Sequence, residues 1–216
     1  MTAAAHSYAV ALPGLARGLG TTFAVAGAAM TLAVAFGFAL GVVRAQAPPA
    51  LDRPLLAIVE FFRGIPLLVL MYFLFFGLPQ LGLRTSNNAA AIAALALYAG
   101  ALGSEIVRGA IVSLPRGQRE AADALGLHRG DVLRLVLVPQ ALRRMLPPFV
   151  ALFALIVESS SLSALIDVTD LLQAARQNVE RDPDIALPIY GTVLVAYFAV
   201  NFPVSLAARR LERRLA

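Results

Sequence analysis

Few side chains in this 216-residue chain could do covalent chemistry. Its two histidines, His6 and His128, share no second histidine or cluster of carboxylates at ligand spacing, so neither a metal centre nor a general acid–base pair is expected. There is no cysteine, which excludes disulfides and thiolate chemistry. There is also no lysine, which excludes a phosphate-cradling G-x-x-x-x-G-K-[ST] loop. What remains are ionic side chains among apolar neighbours. Glu158 is followed by Ser159, Ser160 and Ser161, and two oppositely charged pairs stand three residues apart, Glu60 with Arg63 and Glu105 with Arg108. At that spacing each pair can meet across a helical turn. No catalytic residue is assigned.

The elements that carry these charges are read from composition. With 59% hydrophobic residues, 14% charged and mean hydropathy +0.77, the chain is too apolar for a water-soluble domain of its length and belongs in a bilayer. A span needs about 20 apolar residues, and the gaps between charges predict five helices: Gly18 to Val43, Gly64 to Leu83, Thr85 to Ser104, Met145 to Ile166 and Ile185 to Ala208. The fold class is therefore all-α integral membrane, with residues 1–216 forming one transmembrane domain. Five crossings put the termini on opposite sides. Fourteen arginines gather on one face and four on the other, so the positive-inside bias places the N-terminus outside and the C-terminus in the cytoplasm. The net charge of +5 is thus a topology signal and not a nucleic-acid footprint. The first residues lack a basic start, a short apolar core and a small-residue cleavage site, so no removable signal peptide is expected.

Within the first span Gly37 and Gly41 have the small-xxx-small spacing that lets membrane helices approach closely. Pro48, Pro49 and Pro54 break the chain before the second span, and Pro66 suits the first turn of a helix. The longest polar stretch, residues 105–144, lies on the arginine-rich side. Gln118 to Leu125 are helix formers, and Gly126 stands where a left-handed cap would close the helix. A second short helix is expected from Asp131, as its N-cap, to Pro139. The loop between the last two spans is acidic and expected to be partly helical.

Glu120-Ala121-Ala122, Gly126 four residues on, then Val136, Val138 and Pro139 resemble the EAA loop of ABC importer permeases. The two valines stand where the pattern has Ile and Leu. The stretches GLGTTF, VEFFRGIPLLVL, FFGLP, SEIVRGAI, GQREAADALGL and VPQALRRMLPP occur in order and resemble the polar amino-acid branch of that family, the histidine/glutamine/arginine/opine permeases. The resemblance implies a type I importer permease in the plasma (inner) membrane. Its EAA loop is a coupling helix, placed here on Gly117, Gln118, Glu120, Ala121, Ala122, Gly126 and Pro139. Two separate ATPase subunits would hold the ATP and Mg, this chain binding no cofactor. A second permease subunit, an extracytoplasmic solute-binding protein and the surrounding lipid complete the partners. The implied work is import of polar amino acids by rigid-body rocking, without covalent chemistry. An opine, a compatible solute or another small zwitterion is the alternative cargo. An ATP-independent channel or a membrane enzyme is the alternative class; a solvated connector is the plain reading of the loop.

Two readings of the charges stay open at this level. Glu60 with Arg63 and Glu105 with Arg108 either brace an inner gate or link the spans to the coupling helices, or else anchor helix ends at the interface. The stretch VESSSLSALI matches the family's xKDTSLxSVI with a lysine replaced by Glu158, so the charge is reversed. Glu158, Ser159, Ser160 and Ser161 then either line a translocation path that favours positively charged cargo, or Glu158 pairs with an arginine of a neighbouring subunit or at the membrane edge.

Overall fold

A computed structural model describes residues 3–215; residues 1, 2 and 216 of the expected 1–216 domain lie outside it. The described residues fold into nine α-helices joined by short 3₁₀ and π turns. They are α1 (Ala3–Gln46), α2 (Pro49–Gly64), α3 (Leu67–Tyr72), α4 (Asn87–Val112), α5 (Arg116–Ala124), α6 (Arg129–Asp131), α7 (Val138–Ser160), α8 (Leu171–Arg181) and α9 (Ala186–Leu215). Four segments are long and apolar enough to cross a membrane: Ala5–Gln46, Asn87–Val112, Arg129–Ile166 and Pro183–Leu215. A fifth crossing is possible only as the bent pair Pro49–Gly64 and Leu67–Leu81, which turns by 96°.

Every helix that crosses departs from the boundaries drawn between charges. α1 is 44 residues long, or about 66 Å at 1.5 Å per residue, twice the hydrocarbon thickness. Its first turns leave the bundle proper and pack Ala11 and Leu15 against Leu171, Ala175 and Ile189. α4 begins at the Ser86 cap, whose hydroxyl accepts the Ala89 N–H at 3.2 Å, and runs past Glu105 and Arg108 to Val112. Those two charges therefore sit inside the helix and not at its end. The expected second span, Gly64 to Leu83, is helical over Leu67–Leu81 with Pro66 as its N-cap; Pro66 has no N–H and holds Ile65 extended, at ψ 131°, so the span does not run straight back into α2.

The separate helix expected from Asp131 to Pro139 is also corrected. His128 is the N-cap, and the chain stays helical from Arg129 through Ile166, with a π turn over Val132–Leu137 just before Pro139. Proline inside an α-helix clashes with the carbonyl four residues back. The widened turn absorbs that clash, so Pro139 begins α7 instead of ending its predecessor.

The packing between α1 and α4 rests on missing side chains. A Cβ on Gly37 would stand 2.8 Å from the Gly100 carbonyl oxygen, and one on Gly41 would stand 2.5 Å from that of Ser104. The small-xxx-small face is thus spent within the chain, and it brings the ends of α1 and α4 close enough for side chains there to meet. The main core lies between α1, α3, α4 and α7, with Ala29, Met71, Ala94, Leu95 and Ile156 fully buried. A second cluster, including Val107, Ile111, Val132, Leu137 and Met145, closes the end that carries α5.

Candidate functional site: a docking helix and two ionic nodes

α5 is too short to be stable alone in water. Three features hold it. Gly126 takes φ +75°, its N–H donates to the Asp123 carbonyl at 3.0 Å, and the Leu127 N–H donates to the Ala122 carbonyl at 3.2 Å. That pair of bonds is a Schellman cap, as the glycine's position predicts. Ala122, 3% exposed, sits on the cluster of Leu114, Val132 and Leu137, and Leu127 packs beside it. Gln140 Nε2 donates to Gln118 Oε1 at 2.9 Å and ties α5 to the start of α7.

The rest of the segment faces outward. Gly117, Gln118, Glu120 and Ala121 are exposed, as are Gly126 and Pro139, and Leu125 is 80% exposed. Ala122 alone of the EAA triplet belongs to the core, so the triplet divides between holding the helix and presenting it. Arg116 and Arg119 occupy the first turn of α5, where the helix dipole disfavours positive charge. A cleft of about 330 Å³ between α5 and the ends of α1 and α4 is lined by Ala45, Leu114, Arg116, Arg119 and Glu120.

The two charged pairs differ. Arg63 and Glu60 meet at 2.5 Å, but both are exposed, and such pairs are worth ~0–1 kcal/mol. Arg108 and Glu105 meet at 3.1 Å and are half-buried. Glu105 also accepts from Arg44, whose side chain is 1% exposed and whose Nε donates to Asp52 Oδ1 at 2.9 Å. From the sequence Arg44 counts only among the fourteen arginines of one face and Asp52 is not singled out; the signal for more is their position on either side of the Pro48-Pro49 break.

The structure does not gather the expected hydroxyls around Glu158. Ser160 is fully buried and its hydroxyl donates to the Val157 carbonyl at 2.8 Å, while Ser161 donates to the Glu158 carbonyl at 2.7 Å. Both hydroxyls serve the change from α7 to the 3₁₀ turn Ser161–Ile166. Ser159 is half-buried, and Glu158 projects outward in the last turn of α7 without an ion pair among the described residues. It continues a stripe of exposed α7 positions, Arg144, Pro148, Ala151 and Leu155, at alternating spacings of four and three.

One further node was missed. Asp170 caps α8, with Oδ1 accepting the Gln173 N–H at 2.8 Å and Oδ2 buried without a partner among the described residues. Burial pushes this carboxyl up to about 6, against the pull of the backbone N–H groups that bond it. Thr22 of α1 accepts the Leu171 N–H at 3.2 Å beside it. Nothing in the local sequence distinguishes Asp170 from an exposed helix cap.

The chain belongs to the family described as "Binding-protein-dependent transport system inner membrane component", whose pattern it matches over residues 33–216. It is 38% identical over 195 residues to the probable glutamine ABC transporter permease protein GlnP of Bacillus subtilis (strain 168), covering 89% of each chain. It is 33% identical over 207 residues to the glutamine transport system permease protein GlnP of Escherichia coli (strain K12), covering 95% of this chain and 94% of that one. Among solved structures, one titled "Crystal structure of an amino acid ABC transporter with histidines" superposes with a TM-score of 0.87 at 27% identity, covering 96% and 97% of the two chains. The chain is a multi-pass membrane permease.

Proposed function

We propose that this chain is the permease subunit of an ATP-driven importer of polar amino acids, with α5 as the helix that docks on a separate ATPase. The observation that carries the reading is α5 itself: a nine-residue helix with one buried residue and Leu125 80% exposed. A fold that spends a Schellman cap and a core alanine on so short a helix, and leaves its apolar tip in water, presents a surface for another protein to cover. Gln118, Glu120, Ala121 and Leu125 form that surface, and the arginines of its first turn suit an acidic groove. The relatives named for glutamine support a polar amino acid as cargo.

In this reading two copies of the docking helix, one from this chain and one from a second permease subunit, meet two ATPase subunits that bind ATP and Mg. Nucleotide-driven closure displaces α5 and rocks the spans between two states. An extracytoplasmic binding protein delivers the cargo to the face opposite α5, with the N-terminus outside and the C-terminus in the cytoplasm. Glu158 lies on the exposed stripe of α7. A carboxylate facing lipid is costly, so the stripe faces either the path or the second subunit.

The test is uptake of labelled amino acids by proteoliposomes holding the whole transporter, with cationic, anionic and neutral competitors and with Glu158→Gln. Competition by cationic amino acids that Glu158→Gln abolishes supports Glu158 in the path. Unchanged selectivity removes Glu158 from it, and failure of every amino acid to compete removes the cargo assignment.

A further inference from the structure

Arg44 joins α2, whose connections are thin, to α1 and α4, which pack closely on each other. It lies in the last turn of α1, and only Ala47 and Pro48 separate α1 from α2. Within its sixteen residues α2 buries only Val59, so apolar packing holds it weakly. Arg44 Nε donates to Asp52 Oδ1 in the first turn of α2 at 2.9 Å, and Arg44 Nη1 donates to Glu105 Oε1 in the C-terminal half of α4. The other oxygen of Glu105 accepts from Arg108, Nη2 at 3.1 Å and Nε at 3.3 Å. The guanidinium fork suits this task because its donors diverge in one plane and can hold two carboxylates at once. Gly41, one turn earlier, is what lets α1 come close enough to α4 for the reach.

The covalent connections give this node a direction. α4 leads through Ser113, Leu114 and Pro115 into α5, and α2 leads through the 96° bend at Ile65-Pro66 into α3. The main core holds α3 through Leu67, Leu70 and Met71. We propose that Arg44 is a positioning residue that makes the inner ends of α1, α2 and α4 move as one body, so that displacement of α5 reaches the α2–α3 bend. The claim rests on the docking role of α5 for its function, but the rigidity it asserts can be measured without it.

The chain has no cysteine, so spin labels at Ile58→Cys in α2 and Val112→Cys in α4, both exposed, report one distance by pulsed electron resonance in the full transporter. The expected result is a single narrow separation, the same without nucleotide and with ATP and vanadate. Arg44→Gln broadens it, and amino-acid uptake per ATP falls about tenfold, within the range a coupling free energy covers. The ATPase subunits still co-purify in that variant. Arg44→Lys, which offers one point charge in place of a fork, falls between the two. If Arg44→Gln does not fold, the neutral set Arg44→Met, Asp52→Asn and Glu105→Gln, which leaves only the half-buried Arg108 without its ionic partner, is measured in its place with the same expectations. A separation that changes between states in the unsubstituted transporter overturns the proposal, as does a narrow distance and full coupling without Arg44. Loss of ATPase co-purification in Leu125→Asp tests the docking reading separately.

Discussion

α1 touches two buried polar nodes, one at its C-terminus and one near its middle, and the two are opposites. Near its C-terminus Arg44 is enclosed with Asp52 and Glu105, so its charge has partners on two other helices. Toward its N-terminal half, Thr22 meets the α8 cap where Asp170 is fully buried with one oxygen unpartnered. Burial is similar, but the consequences are not. A buried charge with good partners keeps its charge and fixes geometry, whereas one without them gives up its charge, and its proton count then follows pH. The paired node sits at the end that carries α5, where force has to be passed on; the titrating node sits at the other end.

The sharpest way to break the contrast is to remove Arg44. Arg44→Gln leaves Asp52 without its ionic partner and Glu105 with Arg108 alone; loss of one member of a fully buried pair costs about 3–5 kcal/mol, an upper bound here because the Asp52 and Glu105 side chains are 31% and 26% exposed. A large drop in the thermal midpoint of the detergent-solubilised transporter is the expected reading, and an unchanged midpoint would mean that the node carries no charge in the folded state.

Asp170 sharpens the other side. Its folded pKa of about 6 lies above the ordinary value of 3.8, so the native state holds the proton more tightly than the unfolded one. Its contribution to stability is complete below about 3.8 and is lost as pH rises through about 6. A difference of about two units amounts to ~3 kcal/mol over that window. Asp170→Asn should remove this dependence in unfolding scans from pH 4 to pH 7, and two coincident profiles would show that Asp170 ionises normally.

The smaller effects separate local structure from the nodes. Gly126→Ala forces an L residue to φ +75° and costs ~1–2 kcal/mol. The loss should appear as faster hydrogen exchange in α5 alone, with protection of Ala94 and Leu95 in the main core unchanged; loss of protection in that core would mean that α5 is not an independent unit. Glu60→Gln touches only an exposed pair and should shift stability by less than ~1 kcal/mol. A larger loss would mark Glu60 and Arg63 as a brace after all.

Features whose physics lies within a few residues were legible before any fold was known. Gly126 as a cap and the EAA triplet both depend on neighbours within about one helical turn. Boundaries drawn at charges failed at Glu105, because a charge ends a span only when it has no partner, and its partner Arg44 is 61 residues away. Pro139 misled in the same way: a proline ends a helix unless the preceding turn widens, and the widening depends on how α7 packs. The hydroxyls after Glu158 read as one cluster in sequence, yet helical geometry sends Ser160 into the core and Glu158 outward.

By itself, the order of residues determined that this protein lives in a membrane, that its helices are crossed by a polar segment near the middle, and that this segment carries a short capped helix of the importer type. Hydropathy, glycine conformation and motif spacing are properties of the chain alone, and they survive any folding. Only the tertiary structure decided which charges became partners, that Gly37 and Gly41 pack within the chain, and that Asp170 lost its water while Glu60 kept it. Those outcomes depend on distances between segments far apart in sequence, and the energy of a charge is set by what surrounds it.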